Sequence, residues 1–377
     1  MANETPINFP HLMLKEIYEQ PQAILATVDR HLSGGALFAG ELDTVERTLS
    51  GLRRIVIAAS GSSRHAGLAG EIMIEDLAGV AVDVEYASEY CHRSVAESSD
   101  HLLVVTITQS GETADTIMAQ REAAKRGAQT LAICNVGDST VAREADAVLL
   151  THAGPERAVP ATKSCTTQLT VLYLLALWLA ERRRRLSSPA LDHHIDQLKA
   201  LSASLAGRLD TWSRSAAQCA QELRDARSFL YLGRSVHYAI AREGALKLKE
   251  ISYTSAEGYP TGELKHGPYA LVGEQAPLVV IATSDPADGN SVLRYEKSIA
   301  LLAEVKQHGG KLIVVATDGD AQVAGLADHA FYVRPAAELL LPIAEVIPLQ
   351  LLAYHIAVLH GCDVDQPRNL VKAVVRE

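Results

Sequence analysis

Short apolar runs rich in β-branched residues alternate along the chain with longer segments in which apolar residues recur every three or four positions. This alternation predicts a parallel sheet covered by helices, an α/β fold. In the first half the pattern predicts strands at 54–59, 82–86, 102–108, 130–134 and 147–150, and helices at about 63–77, 113–126 and 162–184.

The second half repeats this order. It predicts strands at 229–232, 278–283, 311–316 and 330–333, and helices at about 239–251, 292–307 and 343–359. Gly61 follows the first strand of one half and Gly233 the first strand of the other, an offset of 233 − 61 = 172. Offsets of this kind indicate one structural unit used twice. Between the halves, 186–226 is expected to be a helical linker.

Composition limits the class of protein. The chain has 377 residues, 48% of them hydrophobic, enough for two or three domains or one repeated domain with a full core. Its formal charge is 35 − 45 = −10, which argues against nucleic acid as a partner because phosphate backbones are held by clustered Lys and Arg. The run at 182–185, four arginines, is interpreted as a solvated helix end.

Neither a secretory signal nor a membrane span is expected from the sequence. The N-terminus has no basic segment followed by an apolar core, and the longest uninterrupted apolar stretch, at about 169–180, is shorter than the ~20 residues needed to span a bilayer. A cytoplasmic protein without membrane contact is expected. Five scattered cysteines with no CxxC pair predict neither a disulfide framework nor a zinc site.

Two hydroxyl-rich loops follow neighbouring predicted strands. Ser60-Gly61-Ser62-Ser63 follows the strand at 54–59, and Gln109-Ser110-Gly111-Glu112-Thr113 follows the strand at 102–108. Each offers a glycine, several hydroxyls and a helix start whose free N–H groups favour an anion. Simple N-capping would explain one such loop, but two at adjacent strand ends favour a phosphorylated small molecule. A third loop, 153–163, precedes the long helix, where Thr162 is expected to act as the cap.

The second half carries a candidate acid–base group. Glu243, Lys247 and Glu250 fall at i, i+4 and i+7 of a predicted helix and share one face. An exposed ion pair is the alternative interpretation. The loop 262–268, bounded by glycine and proline, adds His266, and a carboxylate, a lysine and a histidine near a sugar phosphate would suit ring opening and proton transfer.

With these residues the chain resembles the sugar isomerase (SIS) family, in particular the isomerase half of the glutamine–fructose-6-phosphate aminotransferases. The resemblance runs in order from about residue 10 to the C-terminus. Its motifs are KEIYEQP (15–21), QSGETADT (109–116), AGPE (153–156), TKSCTTQLT (162–170), EGALKLKEISY (243–253), GELKHGP (262–268), PLQLLAYHIA (348–357) and DVDQPRNLVK (363–372).

The resemblance implies an architecture. Two tandem flavodoxin-like SIS subdomains, each a three-layer α/β/α unit with a parallel sheet, are expected at 35–185 and 227–361. A helical segment at 1–34 precedes them, and a tail at 362–377 carries Lys372.

The resemblance also implies residue roles. Glu250 moves a proton between C1 and C2 of the sugar, Lys372 forms a Schiff base with the open-chain ketose, and Lys247 assists near the reacting oxygens. His266 opens the sugar ring and reaches into the site of a neighbouring subunit, which implies a homodimer. No cofactor or metal is expected. The substrate-binding set is Ser60, Gly61, Ser62, Ser63, Thr108, Gln109, Ser110, Gly111, Thr113, Val159 and Glu243.

Two departures from the family pattern shape the functional hypotheses. The family's synthases begin with a catalytic cysteine and a glutaminase domain, whereas this sequence begins Met1-Ala2. Ala161 also stands where the family has a substrate-contacting serine, which leaves the particular sugar open.

The leading hypothesis is isomerising deamination of glucosamine 6-phosphate to fructose 6-phosphate and ammonia. The alternatives are a synthase-type isomerase that uses free ammonia or a separate glutaminase, a simple aldose–ketose isomerase, and a sugar-phosphate-sensing regulator. The joint presence of Glu250, His266 and Lys372 argues against a regulator, because a sensor needs only the phosphate loops.

Overall fold

The computed structural model describes residues 9–93 and 101–375. The ends of the predicted N-terminal segment and tail, 1–8 and 376–377, lie outside the described residues, as does 94–100 of the first predicted subdomain. The described chain opens with helices α1 (Leu12–Tyr18) and α2 (Gln20–His31), a short hairpin of β1 (Leu32–Ser33) and β2 (Ala36–Leu37), and helix α3 (Glu46–Ser50).

The first large sheet has five parallel strands in the order β4-β3-β5-β6-β7. Its strands are β3 (Arg54–Ala59), β4 (Ala81–Tyr86), β5 (Leu102–Thr108), β6 (Gln129–Cys134) and β7 (Ala147–Leu150). The helices of this half are α4 (Gly61–Ala78), α5 (Ala87–Tyr90), α6 (Ala114–Lys125), α7 (Thr140–Glu144) and α8 (Lys163–Arg182).

Two helices, α9 (Ser188–Ala206) and α10 (Leu209–Glu222), connect this half to the second. The second sheet is also parallel, in the order β12-β11-β10-β8-β9. Its strands are β8 (Ser228–Gly233), β9 (Ser255–Pro260), β10 (Leu278–Ala282), β11 (Leu312–Thr317) and β12 (His329–Val333). The helices of this half are α11 (Val236–Ser252), α12 (Gly289–Gln307), α13 (Ala321–Leu326) and α14 (Leu341–Leu359).

Both sheets have the same topology. Numbered within each half, the strand order is 2-1-3-4-5, which is the flavodoxin-like order. The predicted fold of two tandem flavodoxin-like units is therefore confirmed. The sequence pattern missed β9, whose segment contains Gly258 and Pro260. β9 is an edge strand that pairs only with β8, and Pro260 is its last residue, a position where a sheet tolerates proline.

The two halves share one core. Alternate residues of β3, such as Ile55 and Ile57, face this shared core, while Val56 and Ala58 face a second cluster with α5 and α6. Helix α4 packs against α8 and α11, and α11 packs in turn against α14. As a result, the helices that start at the first strand of each half, α4 and α11, lie side by side.

One segment, residues 338–359, is long and apolar enough to cross a membrane by length and composition, with a mean hydropathy of 1.6. A search for uninterrupted apolar runs misses it because Glu345, Gln350 and His355 lie within it. In the structure 89% of this window is buried inside the protein, and α14 packs against α10 and α11 as a core helix.

The C-terminal tail returns to the first half. The Asp365 carboxylate accepts hydrogen bonds from the backbone N–H groups of Leu12 and Met13 at 2.9 and 2.8 Å, which caps α1. Further along, the Val374 carbonyl accepts the Ala114 N–H at 2.9 Å. The tail is thereby fixed across the carboxyl ends of β3 and β5.

Candidate functional site

A cleft of about 240 Å³ lies between the carboxyl ends of β3 and β5, the helix α11 and the C-terminal tail. It brings together segments more than 300 positions apart in the sequence, as between Ser60 and Lys372 (372 − 60 = 312). Its lining residues are Ser60, Gly61, Ser62, Ser63, Ile107, Thr108, Gln109, Ser110, Thr113, Thr116, Val159, Pro160, Ala161, Lys247, Glu250, Leu370, Val371, Lys372, Ala373 and Val374.

The first wall of the cleft is the start of α4. Ser60 is the N-cap residue in extended conformation, and its side chain makes no capping hydrogen bond. Gly61 has a φ of +54°, a left-handed conformation that favours glycine. The first-turn N–H groups have no intrahelical partners. This helix end therefore offers N–H donors and the positive end of the helix dipole to an anion.

The second wall is the loop between β5 and α6. The Thr108 and Thr113 hydroxyl oxygens lie 3.2 Å apart, and the Gly111 N–H donates to Thr108 Oγ1 at 3.3 Å. Gly111 has a φ of +70°, and a Cβ there would meet Ser139 Oγ at 1.9 Å. Gly111 thus shapes the loop from behind and does not line the cleft.

Two polar atoms in this wall have no partner. Gln109 Oε1 and Thr116 Oγ1 are buried without a hydrogen bond, and both side chains line the cleft. The sequence prediction included Gln109 but omitted Thr116. A usable signal was present, because Thr116 follows Thr113 by three positions on α6 and so shares its face.

The acid–base group lies on the opposite side of the cleft. Lys247 Nζ is 2.6 Å from Glu250 Oε2 and 3.4 Å from Glu243 Oε1. Lys247 is 1% exposed and Glu243 is fully buried, so the exposed ion pair considered as an alternative is wrong. Burial disfavours the charged lysine, but the carboxylates of Glu243 and Glu250 outweigh it and raise the pKa of Lys247.

Glu243 lies behind the cleft and does not line it. Its Oε2 atom is 2.8 Å from His65 Nδ1 on α4. Burial raises the pKa of Glu243, but Lys247 and His65 outweigh that effect and hold it below its ordinary value. His65 is absent from the site predicted from the sequence, because no local pattern marks a residue whose partner is 178 positions away.

Lys372 lies in the cleft and pairs with Glu156. The two side chains are 2.6 Å apart, Lys372 Nζ to Glu156 Oε2. The Glu156 carboxylate also accepts the N–H groups of Thr162 and Ser164, each at 3.0 Å. Burial is outweighed by Lys372 and these hydrogen bonds, so the pKa of Glu156 is lowered.

The cap of α8 differs from the prediction. Thr162 occupies the N-cap position, but its side chain makes no capping hydrogen bond. Glu156 supplies the acceptor, because its carboxylate reaches the first-turn N–H groups from outside the helix. Glu156 belongs to the AGPE motif (153–156), but no capping role was predicted for it from the sequence.

Glu16 supports the same loop from α1. Its Oε1 atom accepts the N–H of Arg157 at 2.5 Å and that of Ala158 at 3.3 Å. Burial, helped by the nearby Glu156 charge, raises the pKa of Glu16 to about 7. The loop that carries Glu156 and ends at the cleft is thus held from two sides.

Among the residues predicted to be catalytic, His266 lies apart from the cleft. It ends the 3₁₀ helix Thr261–His266, is exposed, and does not line the cleft. Its role across a subunit interface stays a prediction. Among residues 9–93 and 101–375, no group of three or more His, Cys, Asp or Glu side chains converges as a metal-ligand set.

Comparison with known proteins gives consistent family and fold matches. The SIS domain family matches residues 48–178 and 222–360. The glutamine–fructose-6-phosphate aminotransferase [isomerizing] of Chlorobaculum tepidum is 43% identical over 372 residues, which is 98% of this chain and 59% of the relative. The chain therefore spans about three fifths of the length of the curated relatives it matches.

Solved structures agree with the fold. The C-terminal domain of a glucosamine-fructose-6-phosphate aminotransferase from Francisella tularensis superposes with a TM-score of 0.87 at 37% identity, covering 97% of this chain and 100% of that one. A glucosamine-6-phosphate deaminase from Thermotoga maritima superposes with a TM-score of 0.73, covering 96% of this chain and 99% of that one. At 21% identity, the latter likeness concerns the fold alone.

Proposed function

This chain belongs to the SIS domain family, and on that premise we propose that it is a phosphosugar isomerase that acts on amino-sugar phosphates. The proposed reaction is the isomerising deamination of glucosamine 6-phosphate to fructose 6-phosphate and ammonia. The relatives that carry the aminotransferase name support the hexose 6-phosphate class of substrate.

One observation carries the proposal: the cleft combines an anion-binding wall with a carboxylate held on a buried lysine. The α4 and α6 helix starts supply N–H groups and hydroxyls for a phosphate. Glu250 lines the opposite side with Lys247 beside it. A sugar phosphate held by the first wall would therefore present its carbon chain to Glu250.

The chemistry balances with the residues present. In the open-chain sugar, Glu250 takes the C2 proton and returns it to C1, while O1 gains a proton from solvent and the amine nitrogen loses one to solvent. The aldehyde and amine thereby become a hydroxymethyl group and a C2 imine. One water adds to C2 and one ammonia leaves, giving the ketose. His266 of a second copy would open the ring, and Lys372 would form the Schiff base with the ketose, both by analogy with the family.

The test is ammonia release from glucosamine 6-phosphate by the purified chain. We expect equimolar ammonia and fructose 6-phosphate, with both lost in Glu250→Gln. Wild-type protein that forms neither product would refute the proposal.

The homodimer has its own test. Mixed Glu250→Gln and His266→Ala chains should regain activity that neither has alone, since each mixed dimer then holds one complete site. No recovery after verified subunit exchange would exclude His266 as a shared residue.

A second candidate is the reverse, synthetic direction, which the aminotransferase name of the relatives favours. In that case fructose 6-phosphate and ammonium, or a separate ammonia source, would yield the amino sugar. Measuring both directions at equal substrate concentrations separates the two: net synthesis only with added ammonium would favour the second candidate.

A further inference from the structure

We propose that His65 is a positioning residue for the acid–base group: it holds Glu243 so that Lys247 stays on Glu250, and it ties the phosphate-binding helix to the acid–base helix. This inference rests on the proposed role of Glu250. It concerns a residue that lies behind the cleft and touches no reacting atom.

A continuous chain of contacts supports the proposal. His65 Nδ1 is 2.8 Å from Glu243 Oε2, Glu243 Oε1 is 3.4 Å from Lys247 Nζ, and Lys247 Nζ is 2.6 Å from Glu250 Oε2. His65 belongs to α4 and the other three residues to α11. The contacts therefore cross between the two halves and end at a carboxylate that lines the cleft.

The distances from Lys247 to Glu243 and to Glu250 support this role for His65. One buried cation lies between two carboxylates, yet it is 0.8 Å closer to Glu250 than to Glu243 (3.4 − 2.6). Glu243 Oε1 has no hydrogen bond of its own. Because His65 satisfies Oε2 from the other side, Glu243 does not draw Lys247 away from Glu250. Removing the imidazole would leave a buried carboxylate that competes with Glu250 for Lys247.

The same bond connects the two functional walls. Helix α4 begins at the Ser60–Ser63 loop, which lines the cleft. His65 is one turn further along the same helix. The His65–Glu243 contact therefore fixes α4 against α11, and with it the distance between the N–H groups at the start of α4 and Glu250.

Two substitutions separate this role from simple packing. His65→Asn keeps a donor at the position of Nδ1, because the Asn Nδ2 atom is equally far from Cβ. His65→Gln keeps more side-chain volume but places its amide nitrogen one atom further out. If packing alone matters, Gln should be tolerated at least as well as Asn. If the donor matters, Asn should be the better replacement.

The first measurement is structural. In crystal structures of His65→Ala and His65→Gln, we expect Lys247 Nζ to leave hydrogen-bonding distance of Glu250 and approach Glu243, whereas His65→Asn keeps the wild-type arrangement. His65→Gln serves alone if His65→Ala does not fold. An unchanged Lys247–Glu250 contact in His65→Ala, or in His65→Gln where the alanine variant does not fold, overturns the proposal, whatever the activity.

The second measurement is kinetic. We expect His65→Ala to lower kcat about 10-fold or more, since a misplacement of about 1 Å costs on the order of 100-fold, with KM nearly unchanged and most of kcat restored in His65→Asn. Equal kcat in Ala and Asn variants would contradict the proposal. A wild-type protein inactive on every phosphosugar tested would refute the proposed function instead, and the structural measurement would still decide the role of His65.

Discussion

The carboxyl ends of the strands differ between the two halves of the molecule. In the first half, the loops after β3 and β5 leave hydroxyls and helix N-termini facing an open cleft. In the second half, the corresponding loops after β8 and β10 border a buried group of charged side chains. There His237 Nδ1 is 2.9 Å from Glu345 Oε2, and His237 Nε2 is 2.9 Å from Glu338 Oε1. Arg294 and Ser291 also donate to Glu338.

The charges of this cluster satisfy each other. Burial disfavours the imidazolium, but Glu345 and Glu338 outweigh it and raise the pKa of His237 to about 10. Burial likewise opposes ionisation of Glu338, but His237, Ser291 and Arg294 lower its pKa to about 2. An internal salt cluster thus occupies the carboxyl ends of β8 and β10 in the second half.

Because the fold is repeated, His65 and His237 occupy equivalent positions in the two halves. His65 and His237 are offset by 237 − 65 = 172, the same as Gly61 and Gly233. His237 pairs within its own half, while His65 pairs with Glu243 of the other half. The same topological position therefore completes an internal salt cluster in the second half, whereas in the first half it contacts α11, the helix that borders the open cleft.

Glu250→Gln should give the largest difference between the two regions. Loss of the proton-transferring carboxylate is expected to lower kcat by about 10²–10⁴-fold. Steady-state kinetics on glucosamine 6-phosphate check this, with the exposed Glu274→Gln as the matched control. Near wild-type kcat in Glu250→Gln would contradict the proposed role of Glu250 in proton transfer.

His237→Ala should act on stability. It removes the cationic partner of buried Glu345 and leaves Glu338 paired with Arg294 alone, and breaking a buried pair costs about 3–5 kcal/mol. The control is His329→Ala, whose partner Glu222 is half exposed at 3.0 Å; a surface pair of this kind is worth about 0–1 kcal/mol. Urea unfolding measures both. Equal destabilisation by the two variants would contradict the assigned role of the cluster.

Ser110→Ala should act on substrate binding. A hydrogen bond to a charged group contributes about 1.5–3 kcal/mol, so KM should rise about 10- to 100-fold with a smaller change in kcat. Ser284→Ala, at the equivalent strand end of the second half, is expected to leave KM unchanged. A similar KM for all three proteins would show that the Gln109–Thr113 loop does not hold the phosphate.

The smallest effect concerns pH. Since the folded pKa of His237 is raised from 6.5 to about 10, its stabilisation is complete below pH 6.5 and is lost as the pH rises through about 10. Between pH 8 and 9 the unfolding free energy of wild type should fall by about 1 kcal/mol more than that of His237→Ala. Urea unfolding at the two pH values measures it. Parallel changes in both proteins would indicate that His237 is not charged in the fold.

The sequence predicted a good part of the fold for a simple reason. Strands β3 and β5 were predicted with their observed bounds because buried parallel strands are continuous apolar runs. The two hydroxyl loops were predicted because residues after such strands meet at one sheet edge. β9 was missed because an edge strand needs no such run.

Contacts between distant segments account for what was missed at the site. Thr116 has a local signal, but the roles of Glu156 and His65 depend on partners 216 and 178 positions away. A short-range pattern records which side chains share a helix face, and does not record which helix packs against that face.

The sequence by itself determined the duplicated α/β unit, the family and most of the chemical groups in the cleft, because periodicity and strand-end loops are local properties. Only the tertiary structure decided that Lys372 meets Glu156, that His65 holds Glu243, and that the second strand end is closed by His237. In each pair at least one charged group is buried away from solvent, and such a group is stable only where the packed elements bring it a partner.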